Sequence, residues 1–317
     1  MAFQIASWAA MSLLGLASNS DFCIGNKSGS PIESYTIRAV AQLGSALVWG
    51  TRGRGFKSRQ PDQKNRRLYW VGEKSRCRMC GRFVGAFSAE LLMDEMSEAL
   101  SEATMTLSFN EASLFSPNYN TAPTHIVPIL RNEESKVVVD PMQWGLVPSW
   151  SKDPSVGSKL INARSETITE KPSFRQSVPS RRCIIPMSGF YEWDRTDLKQ
   201  KIPYFVTRED GRLMLVAGIW TASPALDGRH TFSLITRESV DDLSHIHSRS
   251  PVELHADDAL EWMCNPVPPL ELFAPEHQPR FSARKVSTSV NSVKNNYESL
   301  LDEFVDITEK SDPDTLF

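Results

Sequence analysis

A strand-rich α+β domain is the fold class predicted for this 317-residue chain. Three observations carry it. Hydrophobic residues make up 40% and charged residues 23%, globular proportions that supply a sizeable core and exclude a wholly disordered or fibrous protein. From Met79 onward, short apolar and β-branched runs alternate with turn residues. Stretches of helical periodicity are few, and no apolar run is long enough for a membrane-spanning helix.

In chain order, Ala89–Leu100 predicts the first helix. Strands follow at Lys136–Val139 (KVVV), Cys183–Pro186 (CIIP), Pro203–Val206 (PYFV), Leu213–Ile219 (LMLVAGI) and Thr231–Ile235 (TFSLI). Ala256–Met263 and Tyr297–Phe304 predict two more helices. The domain is placed at residues 79–304, and 305–317 are read as an acidic tail that frays. No internal repeat is found.

Residues 1–78 differ in texture. They hold 12 Lys+Arg against 4 Asp+Glu, a net of +8, whereas 79–317 hold 23 against 34, a net of −11. No sustained period runs through 20–78. Ala39–Leu47 (AVAQLGSAL) and Gly53–Pro61 (GRGFKSRQP) read like the D-arm and T-arm of a transfer-RNA gene translated as protein. The stretch is therefore taken as upstream sequence with no stable domain, the true start as Met79 and the source as bacterial. The alternative is a natural basic tail that binds nucleic acid. Ile5–Ala17 lacks the preceding basic residues and the cleavage site of a secretory signal. Five scattered cysteines (Cys23, Cys77, Cys80, Cys183 and Cys264) argue against a disulfide framework and for a reducing cytoplasm.

Candidate chemistry lies in separate clusters. Removal of Met79 would leave Cys80 with a free α-amine beside its thiol. Such an amine titrates near ~7.7–8.0 and the thiol near ~8.5, so both are readily made nucleophilic. The pair condenses with an aldehyde through a Schiff base, and the thiol then closes a thiazolidine ring. A buried structural cysteine, or half of a Cys77–Cys80 metal or redox pair, competes with this reading. Pro117–Thr124 (PNYNTAPT) is a turn-rich loop with rigid Pro123. Gln143–Trp150 (QWGLVPSW) offers two indoles, either as core or as stacking platforms worth about 1–3 kcal/mol per base. Asn162–Glu166 (NARSE) is a fourth cluster. Glu192, between Tyr191 and Trp193, is either an acid–base in apolar surroundings or an exposed strand residue. In Ser244–Pro251 (SHIHSRSP), His247 and Arg249 share a face if extended, and His245 with His247 is an incomplete zinc pair.

Taken together and in this order, MCGRF, YNxAPT, WGLVPSW, NARSE, SGFYEW, IHxR and Val290–Lys294 (VNSVK) resemble the SOS response-associated peptidase family. Its members shield abasic sites in single-stranded DNA. The resemblance runs from Met79 to about Tyr297. It implies mixed and antiparallel sheets around a barrel-like core with surrounding helices. It also implies that Cys80 is the cross-linking nucleophile, Asn162 orients the reacting groups, Glu192 is an acid–base, and His247 opens the deoxyribose. Arg82, Arg164 and Arg249 match phosphate-contacting positions, and Pro123, Trp144, Trp150 and Trp193 sit in motifs lining the DNA cleft. Neither cofactor nor metal is implied, and the expected partner is single-stranded DNA carrying abasic sites, bound by a monomer in the bacterial cytoplasm without a membrane. Ser250 departs from the pattern, which has Met there, and its smaller side chain is expected to loosen local packing. A cysteine peptidase that cuts before Cys80, and a DNA-binding module without turnover, are the competing functions.

Overall fold

Four of the five strands that periodicity predicts lie in a closed ring, and the fifth, at Pro203–Val206, lies in a second sheet. The computed structural model describes residues 81–109, 115–134, 136–194, 201–239 and 243–304. In chain order the elements are β1 (Arg82–Gly85), α1 (Ala89–Glu102), β2 (Thr106–Phe109), β3 (Asn118–Thr121), β4 (Ile126–Glu133), β5 (Lys136–Trp144), β6 (Asn162–Arg164) and β7 (Arg182–Met187). They continue with β8 (Gly189–Asp194), β9 (Ile202–Arg208), β10 (Met214–Ser223), β11 (Arg229–Glu238), β12 (Arg249–Pro251), β13 (Glu253–Leu254), α2 (Ala256–Cys264) and β14 (Phe281–Lys285).

β5, β4, β7, β10 and β11 pair successively in antiparallel fashion. The ring closes where β11 meets β5 in parallel, with Thr231 beside Gln143 and Phe232 beside Trp144. Closure leaves these strands without the open edges that invite aggregation. A second, antiparallel sheet of order β14-β9-β8-β1-β3 packs against the ring.

Alternation along each strand divides the interior in two. Ile184, Leu215, Ala217 and Ile219 face a cluster shared with α1 and α2. Ile185, Met187, Met214 and Val216 join Phe83, Phe190, Val206 and Phe281 of the second sheet. Both faces of β7 are therefore covered, which explains its uninterrupted apolar run. Each fully buried aliphatic or Phe side chain contributes about 1.5–3 kcal/mol.

The two helices sit where their apolar spacing sends them. Ser88 caps α1 by accepting the Leu91 amide at 3.2 Å, and Leu92, Met96, Ala99 and Leu100 turn inward. The α2 residue Trp262 donates its indole N–H to Gly218 O at 3.1 Å. Buried Arg182 donates to the carbonyls of Val178 (2.9 Å), Pro179 (2.6 Å), Trp262 and Asn265, setting a cation at the C-terminal end of α2. The bend after β5 depends on glycine: Gly145 has φ +112°, and a Cβ there would stand 2.7 Å from Gly157 O.

Two predicted segments differ. Tyr297–Phe304 is not an α-helix but a 3-10 turn at Glu298–Leu301 followed by extended chain, because Glu303 bridges Val286 and Phe304 donates its amide to Lys285. Only Leu300 of that stretch is buried, too little apolar surface to dock a helix. The first half of the Pro117–Thr124 loop is strand β3, held against β1. The expected tail at 305–317 and the extension at 1–78 lie outside the described residues.

Candidate functional site

One half of the site is built on the β1–β8 pairing. Arg82 lies opposite Tyr191, Phe83 opposite Phe190 and Val84 opposite Gly189. Continuing that register by one residue brings Gly81 beside Glu192. Glu192 is only 3% exposed, so the exposed-strand reading does not hold, and its Oε1 accepts the Trp193 amide at 3.2 Å. Tyr191 donates its phenol to Tyr119 O at 2.9 Å, and burial pushes that phenol well above its usual range, so it stays a neutral donor. Cys80, which precedes Gly81, lies outside the described residues, as do Cys23 and Cys77.

Arg82 is committed inside the protein rather than extended to solvent. Its Nη1 donates to Asn120 Oδ1 at 2.8 Å and to Val290 O at 2.9 Å, and its Nη2 to Asn291 O at 3.3 Å. Buried Asn120 gathers the same loop, donating to the carbonyls of Val290 (3.2 Å), Ser292 (3.0 Å) and Asn295 (2.9 Å). Trp193 is half-buried and donates its indole N–H to Asn291 Oδ1 at 2.8 Å. The late VNSVK segment is thereby strapped over the ends of β1 and β8.

The other half is assembled on β11. Its Leu234 and Thr236 lie beside Asn162 and Arg164 of β6 in parallel, and its Glu238 lies beside Arg249 of β12. Asn162 is half-buried and Arg164 exposed. His247 is 8% exposed, and its Nδ1 stands 3.1 Å from the Arg249 backbone amide and 3.4 Å from Arg249 O, the shorter contact being the one in which the amide donates to Nδ1. An acceptor at Nδ1 puts the proton of the neutral ring on Nε2. That Nε2 is buried and has no hydrogen-bond partner among the described residues, so the ring presents an uncommitted hydrogen-bond donor. His245 is exposed.

Arg249 places its guanidinium fork on Glu166, at 2.8 and 2.9 Å, and reaches Thr236 O at 2.6 Å. Partial burial pushes the Glu166 carboxyl up, but Arg249 outweighs it and holds the group below the usual carboxylate range.

A shared core joins the halves. Phe83, Trp144, Ile161, Phe190 and Ile246 belong to one buried cluster, in which Phe83 and Trp144 stand 5.0 Å apart. Trp144 donates its indole N–H to Ile161 O at 3.0 Å. At 1% exposure Trp144 is a core brace and presents no face to a nucleobase, which corrects its reading as a cleft-lining residue. Trp150, five residues past the Gly145 bend, is 59% exposed. Half-buried Pro123 sits in a turn whose Thr124 takes φ +79°, zipped to β5 by Thr124 N–Trp144 O and Trp144 N–His125 O bonds of 2.9 Å.

Sequence reasoning missed Asn120, Asn291, His125 and the Glu166–Arg249 pair. His125 is pulled below its usual range by burial and then by the Arg82 charge, so it is neutral near pH 7. Each lay within a quoted motif or one residue from it, but its partner is distant in sequence. Burial pushes the Cys183 thiol well up and the Cys264 thiol up, which disfavours the thiolate at both. Ser250 is 1% exposed and its hydroxyl has no partner among the described residues. Among the described residues, no three His, Cys, Asp or Glu side chains stand together in a way that could hold a metal ion.

A family profile described as "SOS response associated peptidase (SRAP)" matches residues 79–293. The abasic site processing protein YoaM of Bacillus subtilis (strain 168) is 36% identical over 230 residues, which span 71% of this chain and 98% of that protein. The abasic site processing protein HMCES of Mus musculus is 32% identical over 227 residues, 58% of this chain and 64% of that one. A crystal structure of a protein from Bacteroides thetaiotaomicron matches with a TM-score of 0.57 at 23% identity, over 70% of this chain and 100% of that one, a likeness of fold.

Proposed function

The chain belongs to the SOS response associated peptidase family, and from that premise we propose that it captures abasic sites in single-stranded DNA as a covalent adduct of Cys80. The observation that carries this reading is the β1 register on β8. It brings Gly81 beside buried Glu192, and Cys80 is one peptide unit, about 3.8 Å between Cα atoms, from Gly81.

An abasic sugar is a cyclic hemiacetal in equilibrium with a scarce open aldehyde. Opening it moves the C1′ hydroxyl proton, by way of solvent, to the ring oxygen, and the His247 Nε2–H donates a hydrogen bond to that oxygen as negative charge develops there. The Cys80 amine then adds to C1′, and loss of one water yields the imine. The Cys80 sulfur adds to the imine carbon and the thiol proton passes to nitrogen, so aldehyde, amine and thiol become thiazolidine plus one water. Glu192 carries the protons of the addition and dehydration steps, and Asn162 orients the reacting groups. Each acid–base group contributes roughly 10²–10⁴-fold. No phosphodiester bond breaks.

The amine must be free, so the working domain starts at Cys80 and runs to about residue 304. Exposed Arg164 and Trp150, together with half-buried Pro123 and Trp193, supply the phosphate and base contacts. With a net of −11 over 79–317, few cations face the backbone, and binding is accordingly modest and salt-sensitive. The test is denaturing electrophoresis with an abasic oligonucleotide. Protein starting at Cys80 gives a heat-resistant shifted band, and Cys80→Ala gives none. A band that survives Cys80→Ala rejects the reading.

A further inference from the structure

We propose that Glu166 is a positioning residue for His247, acting through Arg249. The proposal rests on the abasic-capture reading above for its consequence in catalysis, but not for its geometry.

The contacts form a chain from one candidate segment to the other. Glu166 ends the short stretch that opens with Asn162, and its two carboxylate oxygens take the two terminal nitrogens of Arg249 at 2.8 and 2.9 Å. The same guanidinium donates to Thr236 O at 2.6 Å, and the Thr236 hydroxyl donates to Ala163 O at 3.3 Å. Three neighbouring strands, β6, β11 and β12, are thus tied at one point. The Arg249 backbone amide, fixed by this anchorage, is the group that donates to His247 Nδ1 at 3.1 Å and sets its tautomer. The Arg249 side chain is only 13% exposed, whereas Glu166 is 48% exposed. The mostly buried Arg249, its bidentate fork and its bond to backbone set the pair apart from fully exposed ion pairs that contribute little, although Glu166 itself faces solvent.

The obvious rival is that Arg249 binds a DNA phosphate and Glu166 merely occupies the fork until DNA arrives. The two ideas predict opposite effects of removing the Glu166 charge. A phosphate-binding Arg249, once freed, would tighten DNA binding and steepen its salt dependence by about 0.7 in log–log slope. A positioning Glu166 would leave binding alone and slow the chemistry.

The test uses the chain from Cys80 onward. That segment holds every described residue and nearly all that the family profile matches, and the matched region is 98% of the Bacillus relative. Glu166→Gln and Glu166→Asp are compared with wild type in three measurements. These are the single-turnover cross-linking rate at saturating abasic oligonucleotide, the Kd for an undamaged single strand at two salt concentrations, and the nitrogen NMR signature of the His247 ring. We expect Glu166→Gln to cut the saturated rate at least tenfold and hold Kd within twofold. It should also replace the single Nε2–H tautomer by a mixture, and Glu166→Asp should recover part of the rate. An unchanged rate or tautomer overturns the proposal, as does a tighter Kd with a steeper salt slope. Should wild type itself fail to cross-link, the functional reading fails, and the tautomer measurement still decides this inference alone.

Discussion

Asn120→Ala removes a buried side chain that, together with Arg82 and Trp193, ties the Val290–Asn296 loop to the body of the domain. The two N–H groups of Asn120 Nδ2 are shared among three backbone carbonyls at 2.9 to 3.2 Å, and its Oδ1 accepts from Arg82 at 2.8 Å. Each neutral bond has a net worth near ~1 kcal/mol, a bond to a charged donor about 1.5–3, and a partner left buried and unpaired costs more. Ser292 and its neighbours are exposed, so water re-satisfies part of the loop, whereas Val290 is fully buried. The expected loss is about 3–4 kcal/mol. For a domain of this size that lowers Tm by roughly 6–15 °C. Urea unfolding of the Cys80 chain, with matched m-values, measures it directly. The same loop holds the Trp193 indole through Asn291, so Trp193 fluorescence should shift to the red in the folded variant. A loss under 1 kcal/mol with unchanged fluorescence would refute the idea that Asn120 is the strap's anchor.

Three further outcomes are expected. Burial pushes Glu253 up to about 8 despite its contact with Arg208, so the folded state holds that proton more tightly than the unfolded chain does. Its contribution is therefore absent below pH about 4.5 and becomes a growing penalty as pH rises to about 8; the stability difference between wild type and Glu253→Gln, measured by urea at pH 5 and pH 8, should move toward the variant, and parallel curves would contradict this. Ser250→Ala should be neutral or stabilising by up to about 1 kcal/mol in the same assay, because it removes a buried hydroxyl without a partner among the described residues; a loss above 1 kcal/mol would mean that the hydroxyl is bonded. Arg182→Met should lose at least about 3 kcal/mol, since Val178, Pro179, Trp262 and Asn265 all offer carbonyls to that buried cation; a change within 1 kcal/mol would deny it a structural role.

The long elements were legible because their periodicity reports burial directly. α1 and α2 carry apolar residues at helical spacing, β5, β7, β9 and β11 each contain the run predicted for them, and β10 contains all of its run but Leu213. The short strands were not legible. β1, β3, β6, β12 and β13 have two to four residues each, too few for a period, and exist because distant partners pair with them. At the site, residue types pointed to the right segments but not to the contacts within them. Glu192 had to be placed against β1 before its burial could be known. The two tryptophans of one motif part company at the Gly145 bend, Trp144 entering the core and Trp150 leaving it. Arg82 and Arg249 read as phosphate contacts by pattern, yet their guanidiniums are already engaged by Asn120 and the Val290–Asn291 carbonyls, and by Glu166. Only tertiary geometry brings an Asn or a Glu from far along the chain to an arginine.

Mass spectrometry of the adduct tests the central claim most directly. Protein and abasic oligonucleotide are joined, digested with protease and nuclease, and the cross-linked peptide is sequenced. The adduct should sit on a peptide whose first residue is Cys80, with a mass equal to peptide plus sugar fragment minus one water. An adduct on a lysine, on Cys183 or Cys264, or on a chain still carrying residues ahead of Cys80, would contradict it.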